Sequence, residues 1–163
     1  MKKLFSIMII SALFAACAPD KPKENTATEE GDSYESIHGN EQNAVAENAA
    51  NGKGLGQVKE VELKTPLEQD RIPRGKAIFE MKCQACHRLD DKRVVGPGWK
   101  DITKRRKPEW IMNMITNVDV MLDEDPEAQK LLELCLMRMP DQNVSIGDAR
   151  DILEFMRQND GEQ

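Results

Sequence analysis

The five residues Cys83-Gln84-Ala85-Cys86-His87 restrict this chain more than any other feature. Residues three and four apart share one face of a helical turn. Two thiols in this spacing can reach the two vinyl groups of one porphyrin, and the adjacent imidazole can reach its iron. A C-x-x-C-H motif therefore reads as covalent attachment of a c-type haem. Three other readings compete with it. A redox-active C-x-x-C pair expects a β-α-β context, and no strand pattern surrounds this one. A zinc half-site wants a second ligand pair, yet the remaining candidates are Cys135 and His38, and His38 lies far upstream. A structural disulfide between Cys83 and Cys86 would give a haem-free protein.

Size sharpens the haem reading. The chain has 163 residues and only 4% aromatics. Its first 17 residues are apolar and the next 48 are polar, which leaves a compact remainder of about 100 residues. A remainder that small gains from a staple, a metal or a large cofactor. The formal net charge of −6 is unlike that of a nucleic-acid binder, which is usually basic. No nucleic-acid partner is expected.

The N-terminus reads as an address. Lys2 and Lys3 precede an uncharged run from Leu4 to Ala16. Such a run is too short to span a bilayer, which takes about 20 residues, but it fits a secretory signal. Ala15 and Ala16 stand before Cys17, an arrangement that resembles a bacterial lipoprotein signal with Cys17 as the lipidated residue. Phe14 departs from that pattern, because leucine is usual there, and Leu13 is one place early. Ordinary signal cleavage, with Cys17 lost or free, is the alternative. Residues 18–65 hold one aromatic, Tyr34, with ten acidic and five basic residues. This composition marks disorder, and a flexible chain of that length spans roughly 35–40 Å. The expected organisation is a signal peptide at 1–16, a lipidated cysteine and disordered tether at 17–65, and a mono-haem domain at 66–163. The expected location is extracytoplasmic or periplasmic, anchored to a bacterial membrane.

A six-coordinate haem needs a second axial ligand. Met139-Pro140 lies between two expected helices, 52 residues after His87. Thioether sulfur is soft and suits haem iron, and His/Met ligation raises the reduction potential. Pro140 stiffens a loop that must present sulfur accurately. Met137 is the rival, two residues away. Met81, Met112, Met114, Met121 and Met156 read mostly as core.

Local signals place the helices. Pro73 suits a first helical turn, and Ile78, Phe79, Lys82 and Cys83 follow helical spacing. Pro108 starts another helix, with Trp110, Ile111, Met114, Ile115 and Val118 on one face. Asp125-Pro126 opens a third, lined by Ala128, Leu131, Leu132 and Cys135. Ser145 is the expected N-cap of a last helix, with Asp148 three residues on and Ala149, Ile152, Leu153 and Met156 as its apolar stripe. No hairpin signal interrupts them.

The ordered set of motifs resembles a class I cytochrome c from about Arg71 to Asn159. GKAIFEMKCQACH resembles that family's N-terminal helix and haem motif. VGPGW at Val95–Trp99 resembles its Gly-Pro loop, and MPDQNVSIGDARDILEFMRQ resembles its methionine loop and C-terminal helix. The resemblance implies a small all-α fold of three to five helices wrapped around one covalent haem c. It implies that Gly75 and Phe79 pack near Ile152 and Phe155. It further implies that the Pro97 carbonyl accepts the His87 N–H, which fixes ring orientation and basicity. With His87 and Met139 as axial ligands, the implied function is single-electron transfer without enzyme activity. The expected partners are membrane-bound or soluble redox proteins, such as a respiratory complex and a terminal oxidase or reductase.

Some features leave other outcomes open. Cys135 falls on an apolar stripe and reads as a buried free thiol, with occasional ligation of iron as the sharper alternative. Lys100, Lys104, Arg105, Arg106 and Lys107 form a basic run. Asp119, Asp123, Glu124, Asp125 and Glu127 form an acidic one. Each is either solvated surface or a steering patch for a partner. The functional alternatives are a haem enzyme or a gas or peroxide sensor with a labile sixth ligand, and a haem-free disulfide lipoprotein.

Overall fold

Residues 50–163 are described by a computed structural model. The signal at 1–16, Cys17, the tether up to residue 49 and His38 lie outside the described residues. The described part is all helical, with no strand. Helix α1 spans Arg71–Ile78 and runs into a π-helical turn at Phe79–Cys83. Then follow α2 at Ile102–Arg105, α3 at Pro108–Thr116 and α4 at Val118–Glu124. Helix α5 spans Pro126–Cys135 and α6 spans Ile146–Asn159.

Among the described residues the all-α fold is as expected, and its division into six named α-helices has two local causes. Asn117 leaves helical dihedrals (φ −142°, ψ 44°) and divides α3 from α4. Its side-chain amide donates instead to the Leu55 carbonyl at 3.0 Å. The second is α2, a single turn tied down by the far end of the chain. Asp160 accepts from the main-chain N–H groups of Asp101 and Thr103 at 2.7 and 2.9 Å, and from Thr103 Oγ1 at 2.7 Å. A carboxylate so placed satisfies N–H groups that a short helix leaves unpaired.

The other helix starts follow the local signals. Pro108 occupies the first turn of α3. Asp125 Oδ1 accepts from the N–H groups of Glu127 and Ala128 at 3.0 and 2.9 Å and caps α5. Ser145 Oγ accepts from Asp148 N–H at 3.1 Å and caps α6.

The main packing unit is α1 against α6. At Gly75 the two helices approach so closely that a Cβ would sit 2.1 Å from the Asp151 carbonyl oxygen. Phe79 then stacks on Phe155 and Trp99, with ring centroids 5.8 and 4.7 Å apart. The stripe Ala149, Ile152, Leu153 and Met156 is buried as its spacing implies. The opposite face of α6 is a surprise, because Asp151, Glu154 and Arg157 are buried too. Glu154, fully enclosed, accepts from Glu68 N–H at 2.9 Å and from Arg157 at 3.0 Å, and pairs with Arg150. Asp151 pairs with Arg71 and Arg74 at 2.6 Å each. Burial alone pushes both carboxyls up, but their arginine partners outweigh it and hold both below the usual carboxylate range.

The boundary of the folded unit needs correction. It does not start at 66, because the segment from Lys53 onward is strapped across α3 and α4. Leu55 and Val58 are core residues at 3% and 6% exposure. Asn113, itself fully buried, accepts from Val58 N–H at 3.1 Å and donates to the carbonyls of Lys53 and Val58. Leu55 N–H donates to Met121 Sδ at 3.0 Å, and Val61 N–H to Glu109 at 3.3 Å. Burying Leu55 and Val58 stabilises by about 1.5–3 kcal/mol each, and hydrogen bonds to Asn113, Asn117 and Glu109 add to this hold on a segment whose composition reads as disorder.

Candidate functional site

The π-helical turn delivers the motif. Gln84 N–H bonds to Phe79 O at 3.0 Å, an i→i+5 step that shifts the register just before the second thiol. His87 N–H returns to Cys83 O at 2.9 Å, so the motif closes on itself as a helical turn. Cys83 is half-buried against the core, and Cys86 and His87 open onto a cavity of about 320 Å³. Apolar side chains dominate that cavity, among them Val95, Ile111, Ile115, Leu122 and Leu132.

Three contacts fix the imidazole. His87 Nδ1 lies 2.9 Å from the Pro97 carbonyl, the partner the resemblance implies. A carbonyl only accepts, so Nδ1 carries the proton and Nε2 keeps a lone pair for a metal. The Gly96 backbone lies against the ring so tightly that a Cβ there would sit 2.4 Å from Cε1. The Trp99 ring stands 5.5 Å from the imidazole, centroid to centroid. Burial lowers the His87 pKa, and the Pro97 hydrogen bond only partly opposes it, so the ring is held neutral. A neutral, oriented imidazole is what ligation requires.

Both Met139 and Met137 border the same cavity. Met139 is half-buried and packs against the core, whereas Met137 is 59% exposed. Met114 and Met156 also line the cavity from within α3 and α6. Cys135, at the end of α5, is a half-buried free thiol on the wall.

The donor set fits a covalent haem better than its competitors. Among the described residues Cys83, Cys86 and Cys135 are not joined by a disulfide. Burial pushes the Cys83 thiol up to about 11, opposite to the depressed value a reactive redox cysteine needs. Among the described residues no group of three or more His, Cys, Asp or Glu is placed to hold a metal ion by itself. What remains is the Cys86 thiol, one oriented imidazole and a thioether on an apolar cavity, with Cys83 one helical turn before His87, which suits a flat apolar ring carrying iron.

The charge runs of the sequence are largely consumed inside the fold. Arg106 pairs with Glu127 at 2.9 Å and stacks 4.6 Å from the Trp110 centroid. Lys104 pairs with Asp101, and Arg105 donates to the carbonyls of Gly98 and Lys100. Asp125 receives the Trp110 indole N–H at 3.1 Å. Asp119 and Asp123 both pair with Arg138. Sequence reading missed these pairings; the partners of Arg106, Trp110 and Arg138 lie 15 to 21 residues away in the chain.

The family model for cytochrome c matches residues 72–160. A solved cytochrome c from Rhodothermus marinus is 37% identical, with a TM-score of 0.64 over 71% of this chain and 96% of that one. An engineered form of that protein is also 37% identical, with a TM-score of 0.63 over 69% and 94%. A further engineered form, solved with a bound carbene intermediate, is 36% identical with a TM-score of 0.60 over the same shares. No curated protein gives a significant match.

Proposed function

Because this chain belongs to the cytochrome c family, we propose that it is an extracytoplasmic single-electron carrier ligated through His87 and Met139. The haem c, covalently bound as in the family, supplies an iron that alternates between ferric and ferrous states. Cys83 and Cys86 would hold the haem through two thioether links. His87 Nε2 would bind its iron, with the ring held by Pro97 and Gly96. Met139 would bind it from the loop between α5 and α6. The apolar walls contributed by α3, α5 and α6 exclude water and favour the less charged, reduced state. The observation that carries this reading is His87, oriented by the Pro97 carbonyl, on the same apolar cavity as the half-buried Met139.

Ligands held in both oxidation states mean little rearrangement on transfer, and a filled sixth position leaves no place for substrate. No enzyme activity is therefore expected. A second reading, a haem protein whose sixth position opens, draws support from the engineered Rhodothermus marinus cytochrome c solved with a carbene intermediate. Carbon monoxide binding to the ferrous protein separates the two. Slow or absent binding supports the electron carrier, and rapid full binding supports an open site. The family match, which implies a covalently bound haem c, overturns the haem-free disulfide alternative.

The proposal extends to placement and partners. Cys17, preceded by Ala15-Ala16 and an apolar run, is the lipid anchor. Anchored there, the domain would meet its partners at a high local concentration at a bacterial membrane. Those partners are membrane-bound or soluble redox proteins, such as a respiratory complex and a terminal oxidase or reductase. Among the described residues no helix is long and apolar enough to cross a membrane. Cys17→Ser should move the protein from the membrane fraction to the soluble one. Unchanged partitioning after a salt wash would contradict the anchor.

A further inference from the structure

The loop that carries Met139 is fastened to the fold at two points, and both fastenings are cationic side chains. Leu136 (φ 57°) and Asn143 (φ 49°) frame the loop in left-handed conformations that non-glycine residues rarely adopt. On the near side, Arg138 Nη1 pairs with Asp123 Oδ1 at 2.8 Å. Its Nη2 donates to the Asp119 carbonyl at 3.1 Å and to Asp119 Oδ1 at 3.3 Å. On the far side, Lys82 Nζ donates to the Gln142 carbonyl at 2.8 Å. Lys82 directly precedes Cys83, and Arg138 directly precedes Met139.

The anchors are rigid. Asp119 and Asp123 are four apart on α4 and share a face. Val118, Met121 and Leu122 seat that helix in the core. Lys82 lies in the π-helical turn that precedes the second thiol. The backbone that carries Met139 therefore cannot shift away from the cavity without straining or breaking a contact on each side.

We infer that Arg138 and Lys82 are positioning residues that hold the Met139 sulfur in place and set how readily the sixth coordination position opens. This rests on the His87/Met139 reading. It also gives Asp119 and Asp123 a role other than steering partners. The two clamps differ in exposure. Arg138, Asp119 and Asp123 are 42%, 71% and 61% exposed at their side chains, so salt screens their pairing. The Lys82–Gln142 bond is partly buried and resists salt.

The test uses the haem-loaded full chain at equal haem content. Imidazole is titrated into the ferric protein as a competitor for the sixth position, with thermal unfolding measured in parallel. Arg138→Gln should bind imidazole about two- to fivefold more tightly. Lys82→Met should gain about fivefold, because it loses a partly buried charged hydrogen bond. Arg138→Lys should fall between wild type and Arg138→Gln. Molar salt should bring wild type close to Arg138→Gln while leaving the Lys82 effect intact. Unfolding temperatures should fall by no more than the several degrees that the same loss of closed-state stability implies. Unchanged imidazole affinity in both single variants, with the methionine–iron band present, would overturn the clamps alone. So would an equal gain in Asn113→Ala, which lowers stability away from the loop. A wild-type protein without that band would overturn the Met139 reading and the clamps together.

Discussion

The two sides of the cavity are built by different means. On the His87 side the ring meets a main-chain carbonyl and a glycine backbone, close to the Trp99 indole. Behind it, α1 and α6 cross at Gly75 over enclosed ion pairs. On the Met139 side the ligand rides on a loop, between an exposed left-handed leucine and two side-chain clamps. Backbone and buried contacts yield only with the fold, whereas exposed ion pairs yield to salt, pH or one substitution. The difference teaches that the histidine side is a fixed mount and the methionine side is the adjustable one. Any opening of the sixth position should begin there.

The strongest break of this contrast removes the mount. Cys83→Ser together with Cys86→Ser should abolish covalent haem, read as loss of haem stain on a denaturing gel. Retained stoichiometric stain would refute the attachment site. Next in size is Glu154→Ala, which removes the enclosed carboxylate shared by Arg150 and Arg157 and leaves Glu68 and Glu162 as their carboxylate partners. It should cost about 3–5 kcal/mol, measured by denaturant unfolding of the haem-loaded protein. A cost below 1 kcal/mol would show that the enclosed network is not part of the mount. Gly75→Ala drives a Cβ into the Asp151 carbonyl and should cost about 1–3 kcal/mol. Asn113→Ala frees the strap from α3 and should cost about 1–2 kcal/mol, with little effect on the methionine–iron band. Loss of the band in that variant would mean that the strap, rather than the loop clamps, positions Met139.

Acid sharpens the same comparison with a smaller signal. Glu154 and Asp151 bind protons less tightly in the fold than in the unfolded chain, since their ordinary values are 4.5 and 3.8 and both are lowered. Their stabilising contribution is whole above about pH 4.5 and is lost as pH falls through the lowered folded values. Unfolding free energy measured between pH 6 and 3 should therefore drop at the acid end, and Glu154→Gln should flatten that drop. An equally steep drop in Glu154→Gln would assign acid sensitivity to other carboxyls.

What was legible in the sequence was what is local. C-x-x-C-H, Pro108, Asp125-Pro126 and Ser145 signal within a few residues, and each stands where its chemistry requires. The apolar stripe of α6 followed from helical spacing. The strap was not legible, because Leu55 and Val58 sit in a polar stretch and its hold comes from Asn113 and Asn117, more than 50 residues away. The enclosed charges of α6 look like a solvated face until Arg71 and Arg74 are brought against Asp151 by tertiary packing. The short α2 depends on Asp160, which no nearby residue announces. The Gly-Pro loop was readable only through family resemblance, since nothing in its own composition says that Pro97 must face His87.

The most direct measurement is the optical spectrum of the purified, haem-loaded chain, oxidised and reduced, including the weak near-infrared band that reports methionine–iron ligation in ferric haem. The account predicts a c-type spectrum with that band, lost in Met139→Ala and kept in Met137→Ala. A c-type spectrum without the band, or a band that disappears only with Met137, would contradict it.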